Sequence, residues 1–141
     1  MIRVAIVGDI GSGKSHIAKL FNYPIFNADL EVAKIYNTNR QVFRILKNNN
    51  KKKAVILDIP LLLENKLNQK EDIIIFIQSK KIEVLKRLKK RNNFNISLLN
   101  KFKKIQLPLD YKKKKSQFII KNNFTKKSVK RAIHNILKEI L

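Results

Sequence analysis

The sequence predicts an α/β fold, a parallel β-sheet with helices on both faces. Three observations carry this. The β-branched runs IRVAIV, AVILDI and IIIFI lack clean polar alternation, as strands buried on both sides do. Segments with helical apolar spacing lie between them. All three glycines of the 141-residue chain fall between positions 8 and 13, directly after the first run. A chain that places every glycine in one loop needs special backbone geometry there.

The elements follow in order. Ile2 to Val7 is a strand ending at Gly8, and Lys14 to Phe21 has a helical period in Ile17, Ala18, Leu20 and Phe21. Tyr23-Pro24 breaks that helix, and Pro24 to Phe26 is a short second strand. Residues 29–47 carry apolar positions that fit two helices, broken around Asn37 to Asn39, and Asn48 to Lys53 is a polar spacer. Ala54 to Ile59 is the third strand. Leu61 to Leu67 is expected to be a short helix with Pro60 in its first turn. Ile73 to Ile77 is the fourth strand. Residues 80–91 fit a helix with Ile82, Leu85 and Leu88 on one face, and Ile96 to Ile105 fits another. Phe118 to Ile120 is the fifth strand. Ser128 to Leu141 is an amphipathic helix with Val129, Ala132, Ile133, Ile136, Leu137 and Ile140 on its apolar face. No internal repeat or linker divides the chain, so one domain over 1–141 is expected.

Composition narrows the chemistry. The chain has no cysteine, which excludes disulfides and thiolate metal sites, and its two histidines are far apart. No apolar run approaches the ~20 residues of a membrane span. The start, MIRVAIVGDIGSGKS, lacks a long apolar region and a small-residue cleavage site, so a cytoplasmic protein is expected. The formal charge is +22, and residues 80–131 hold 19 Lys+Arg against Glu83 and Asp110. Such a stretch suits a nucleic acid, a membrane surface or a polyanionic small molecule. Compositional bias also explains it: Lys, Asn and Ile, all with A/T-rich codons, make up 63 of 141 residues. The runs Lys51 to Lys53 and Lys112 to Lys115 lack interleaved aromatics, which argues against stacking on single strands. Neither nucleic acid nor membrane is therefore expected as a partner.

Gly8-Asp9-Ile10-Gly11-Ser12-Gly13-Lys14-Ser15 matches G-x-x-x-x-G-K-[ST] in full, between a strand and a helix. Glycines let successive backbone N–H groups turn inward around phosphate oxygens. The following helix aims its N-terminus at the same anion. Lys14 would reach the β- and γ-phosphates, and the Ser15 hydroxyl would ligate Mg²⁺. The expected ligands are ATP and Mg²⁺. A guanine-reading N-K-x-D is not met, because Asn65-Lys66 runs on into Leu67-Asn68. Two carboxylates fall at strand ends, where ligands gather in parallel sheets. Asp29 is either a helix N-cap or the group that accepts a proton from an attacking hydroxyl. Asp58 is either an ordinary strand end or a Mg²⁺-linked carboxylate.

Taken together, GDIGSGKS, NAD and DIPLLLEN resemble the dephospho-CoA kinase family, with its G-G-I-G-S-G-K-S, D-A-D and P-L-L-x-E. The family's Q-x-x-R-L-x-x-R helix, later Gln and late I-x-N are matched by Val84 to Arg91, Gln106 and Ile120-Lys121-Asn122. The resemblance implies a P-loop kinase fold with a five-stranded sheet in order 2-3-1-4-5. It implies transfer of the γ-phosphoryl of ATP to the ribose 3′-hydroxyl of dephospho-CoA. It makes Asp29 the catalytic carboxylate and places Gly8, Gly11, Ser12, Gly13, Lys14, Ser15, His16 and Asn122 around ATP. Ser15 and Asp58 become the Mg²⁺ positions, and Arg87 and Arg91 neutralise transferring phosphates from a lid around 80–115. Departures from the family pattern are Asp9 for Gly, His16 for Thr, Asn27 for the first Asp of D-A-D, and Val84 for Gln. The family's helical substrate-side region with a His-Pro motif is reduced here, around 38–53, to Gln41 to Lys53. Three other functions share the loop: another small-metabolite or nucleoside kinase, a degenerate relative that only binds ATP, and an ATP-dependent nucleic-acid binder using the 80–131 charge.

Overall fold

The computed structural model describes residues 1–27 and 52–141. The two helices expected within 29–47, and Asp29 itself, lie outside the described residues. Among those described, the strands are β1 (Ile2–Gly8), β2 (Ile25–Asn27), β3 (Ala54–Asp58), β4 (Ile73–Gln78) and β5 (Phe118–Lys121). The helices are α1 (Lys14–Leu20), α2 (Lys81–Lys89), α3 (Ile96–Ile105), α4 (Leu109–Lys115) and α5 (Lys126–Ile140). The strands pair in parallel in the order β2-β3-β1-β4-β5, as the resemblance implies.

Alternate side chains of the central strands feed two separate cores, because successive residues of a strand point to opposite faces. Val4, Ile6, Ile56, Ile75 and Ile77 pack with Ile17 and Phe21 of the α1 segment and Val129, Ile133 and Ile136 of α5. Ala5, Val7, Val55, Leu57, Ile74 and Phe76 pack on the opposite face with Phe26, Ile59 and Leu62. This double burial is why the strands read as unbroken apolar runs. A third, smaller cluster joins Val84 and Leu88 of α2 to Leu99 of α3, with Ile10, Phe94 and Phe124 against it. Near the first end of the sheet, Arg3 reaches the buried Asp72. Its Nη2 donates to Oδ2 at 3.1 Å, while Nε lies 2.8 Å from Oδ1 and off the line of a hydrogen bond. Burial pushes the Asp72 carboxyl above its usual value, against the opposing pull of the Gln69 N–H and of Arg3.

Two expectations are corrected and one element is added. Leu61 to Leu67 is a chain of turns, not a helix. Leu61 and Lys66 have φ of 53° and 52°, left-handed values that end helical propagation on both sides. Asn65 N–H bonds to the Leu61 carbonyl, while Leu67 N–H reaches back five residues to Leu62. Second, the buried face of α2 is Val84 and Leu88, with Leu85 at the margin and Ile82 64% exposed. The loop between β1 and α1 lies against that face and decides which apolar residues are covered. The added element is α4, over Leu109-Asp110-Tyr111 and the lysine run that follows. Its Lys112 is buried against Glu64, so one residue of the lysine run carries a tertiary ion pair.

Candidate active site at the carboxyl ends of the strands

The loop after β1 turns because Gly11 and Gly13 take φ of 77° and 91°. A Cβ on Gly11 would stand 2.9 Å from Cγ of Leu88, and one on Gly13 would stand 2.6 Å from Nδ2 of Asn122. Both positions therefore require glycine on conformation and on space. Asp9 Oδ1 accepts from the Ile10 N–H at 2.8 Å, so this departure from the family pattern caps the loop's own backbone. Lys14 Nζ donates to the Asp9 carbonyl at 2.7 Å and lies 3.5 Å from that of Gly8, so its ammonium is held over the loop. Ser12 has a buried side chain whose Oγ finds no hydrogen-bond partner among the described residues, while its backbone N–H donates to the Asp9 carbonyl at 3.2 Å.

A cavity of about 500 Å³ opens beside the loop at the carboxyl ends of the strands. Gly8, Gly11, Gly13, Lys14, Ser15 and His16 line one side of it. Asp58, Pro60 and Leu61 come from the end of β3, Arg87 and Arg91 from α2 and just beyond it, Phe102 and Gln106 from α3 and its cap, and Lys112 from α4. Asn27 and Asp58 end neighbouring strands in register, and Asn27 Nδ2 donates to Asp58 Oδ2 at 3.0 Å. An aspartate at position 27 would set two carboxylates side by side, so this departure removes a repulsion. A second cavity, about 150 Å³, lies on the other side of Gly13 and His16, between Arg87, Asn122, Phe124 and Val129. Arg87 connects the two, and its guanidinium carbon sits 4.2 Å from the Phe124 ring centroid.

The structure thus brings together Gly8, Gly11, Gly13, Lys14, Ser15, His16, Asp58, Arg87 and Arg91. Asn122 lies behind the loop rather than in the larger cavity, donating to the Ser12 carbonyl at 2.8 Å. Lys112, Glu64, Phe102 and Phe124 were not singled out from the sequence. Glu64 accepts from Lys112 and from the Leu107 N–H at 3.0 Å, tying the turns after β3 to α4. Only the Glu of P-L-L-L-E hinted at this, since nothing local marks Lys112 within the run of four lysines at 112–115. Ser15 and Asp58 offer a hydroxyl and a carboxylate to the same cavity, the hard oxygen donors that suit Mg²⁺.

A strand, a glycine-lysine-serine loop, and cationic side chains gathered over the carboxyl ends of a 2-3-1-4-5 parallel sheet define a P-loop kinase. Solved structures agree on the fold. A protein from Thermus thermophilus superposes with a TM-score of 0.76 at 19% identity, covering 99% of this chain and 98% of that one. A dephospho-CoA kinase from Campylobacter jejuni gives 0.60 at 18% identity, covering 98% of this chain and 96% of that one.

Sequence comparison is more specific. The dephospho-CoA kinase family model matches residues 37–128, and the chain belongs to that family. A Bacillus anthracis dephospho-CoA kinase is 38% identical over 86 residues, 61% of this chain and 43% of the relative. The match therefore spans less than half the length of that relative. One from Rickettsia typhi is 29% identical over 130 residues, 89% of this chain and 68% of the relative. One from Wolbachia of Brugia malayi is 24% identical across 190 positions, covering 97% of each chain. That alignment has more positions than this chain has residues, so the relative carries segments with no counterpart here.

Proposed function

We propose that this chain transfers the γ-phosphoryl group of ATP to the ribose 3′-hydroxyl of dephospho-CoA, giving coenzyme A and ADP. The observation that carries the proposal is the convergence of Lys14, Asp58, Arg87 and Arg91 on one cavity beside the glycine loop. Phosphoryl transfer asks a protein chiefly for positioning and charge stabilisation. The loop N–H groups would seat the β-phosphate, with Lys14 turning from the Asp9 carbonyl toward the β- and γ-oxygens. Arg87 and Arg91 would neutralise the oxygens of the group in flight. Ser15 and Asp58 are the residues that would hold Mg²⁺, which would supply charge neutralisation to the transferring phosphoryl group. Asp29 would orient the 3′-hydroxyl and take its proton as the new P–O bond forms and the bond to ADP breaks. The segment 80–115 serves as the lid in this scheme, and the cytoplasm is where ATP and acceptor meet.

A coupled assay with ATP and dephospho-CoA tests the proposal. Appearance of 3′-phosphorylated product supports it; none from protein that binds ATP refutes the acceptor assignment. Asp29→Asn should lower turnover at least ~100-fold while leaving ATP affinity within about two-fold, the scale of a lost general base. Unchanged turnover would remove Asp29 from this role.

A further inference from the structure

We infer that Ser79 and Asn122 are positioning residues for the phosphate cradle, acting together through the carbonyl of Ser12. The inference rests on the nucleotide-binding part of the proposal above. Ser79 follows β4 and Asn122 follows β5, so two strand ends reach the same atom from behind the loop. Ser79 Oγ donates to the Ser12 oxygen at 3.1 Å, and Asn122 Nδ2 donates to it at 2.8 Å. The Asn122 amide has a defined orientation, because its Oδ1 accepts from the Phe124 N–H at 2.9 Å. Its own backbone N–H is fixed on the Gln78 carbonyl at 2.8 Å, which continues the β4–β5 pairing.

The consequence follows from peptide geometry. The described residues contain no cis peptide bond, so the Ser12 C=O and the Gly13 N–H lie in one plane and point in opposite directions. Two donors holding the carbonyl on the Asn122 side, away from the larger cavity, therefore hold the Gly13 N–H toward that cavity, where an anion would sit. Glycine at 13 lets the peptide rotate freely, since φ of 91° carries no side-chain penalty. The tether supplies the constraint that glycine lacks. A flipped Ser12–Gly13 peptide would present a carbonyl oxygen instead of an N–H to phosphate.

Direct binding by the full chain tests this apart from turnover. ATP is titrated calorimetrically, and adenosine, which has no phosphate, by saturation-transfer NMR. Asn122→Asp keeps the side chain's size and its acceptor for Phe124 but loses the donor. Losing one hydrogen bond should raise the ATP dissociation constant roughly 5-fold in Ser79→Ala, and facing a carboxylate to the carbonyl roughly 30-fold in Asn122→Asp. Adenosine affinity should stay within about two-fold in both, and Ser79→Thr, which keeps the hydroxyl, should restore ATP binding. ATP affinity unchanged in Ser79→Ala, or ATP and adenosine weakened equally, would overturn the inference. Wild-type protein that binds no ATP would instead refute the nucleotide reading itself, and this inference with it. If Asn122→Asp fails to fold, the Ser79 pair still decides.

Discussion

Replacing Glu64 with alanine would leave the Lys112 ammonium buried without its anion. The two side chains are 9% and 4% exposed, so water screens little of the loss. The same change also removes the acceptor of the Leu107 N–H. Breaking a buried ion pair from one side costs about 3–5 kcal/mol, because the surviving charge stays desolvated. A chain of 141 residues has a total stability of roughly 7–20 kcal/mol at typical values per residue. The variant should therefore lose a large fraction of it. At about 4 °C per kcal/mol for this length, the midpoint should fall by ~12–20 °C. Thermal unfolding followed by circular dichroism measures this. The double variant Glu64→Leu with Lys112→Met replaces the pair with apolar volume and should recover most of the loss. A midpoint within ~3 °C of wild type for Glu64→Ala would refute the reasoning, as would a double variant no better than the single one.

Three further outcomes are expected. Gly13→Ala forces a side chain into φ of 91° and against Asn122, and should weaken ATP binding at least ~10-fold by calorimetry; binding at wild-type strength would show that the loop tolerates another path. Arg3→Gln removes a group that lowers the Asp72 carboxyl, which burial already raises. A raised folded-state value means stability that is present below the ordinary pKa and lost as pH rises through the folded one, so the deficit of Arg3→Gln relative to wild type should grow from pH 3.5 to pH 7 in urea titrations; a constant deficit would contradict this. Lys66→Gly relieves an exposed left-handed residue at φ of 52° and should raise the midpoint by a few degrees, since the ~1–2 kcal/mol of strain exceeds the entropic cost of glycine.

The sheet was legible because its strands are covered on both faces. That condition writes itself locally, as in Val4 to Val7, where every residue is buried on one side or the other. The loop was legible because its chemistry is contiguous from Gly8 to Ser15. What escaped depends on partners distant in sequence. Ser12 meets Ser79 and Asn122 across 67 and 110 residues, and no spacing rule reaches that far. Lys112 is indistinguishable from Lys113 until Glu64 selects one of them. The turns after Pro60 escaped because helical spacing in LLLENKL is satisfied equally by a helix and by turns that bury Leu62 alone. Val84, at a position where the family carries Gln, became intelligible only once Gly11 was found packed against α2.

That packing has a thermodynamic consequence. Ile10 and Gly11 belong to the loop proposed to seat phosphate, yet they rest on Val84 and Leu88, the same side chains that hold α2 to α3. Seat and clamp therefore share one small core and open together. Any anion that orders the loop withdraws free energy from local unfolding of α2 and α3. Amide exchange should slow at Val84, Leu88 and Leu99 when triphosphate binds, although those amides never touch it.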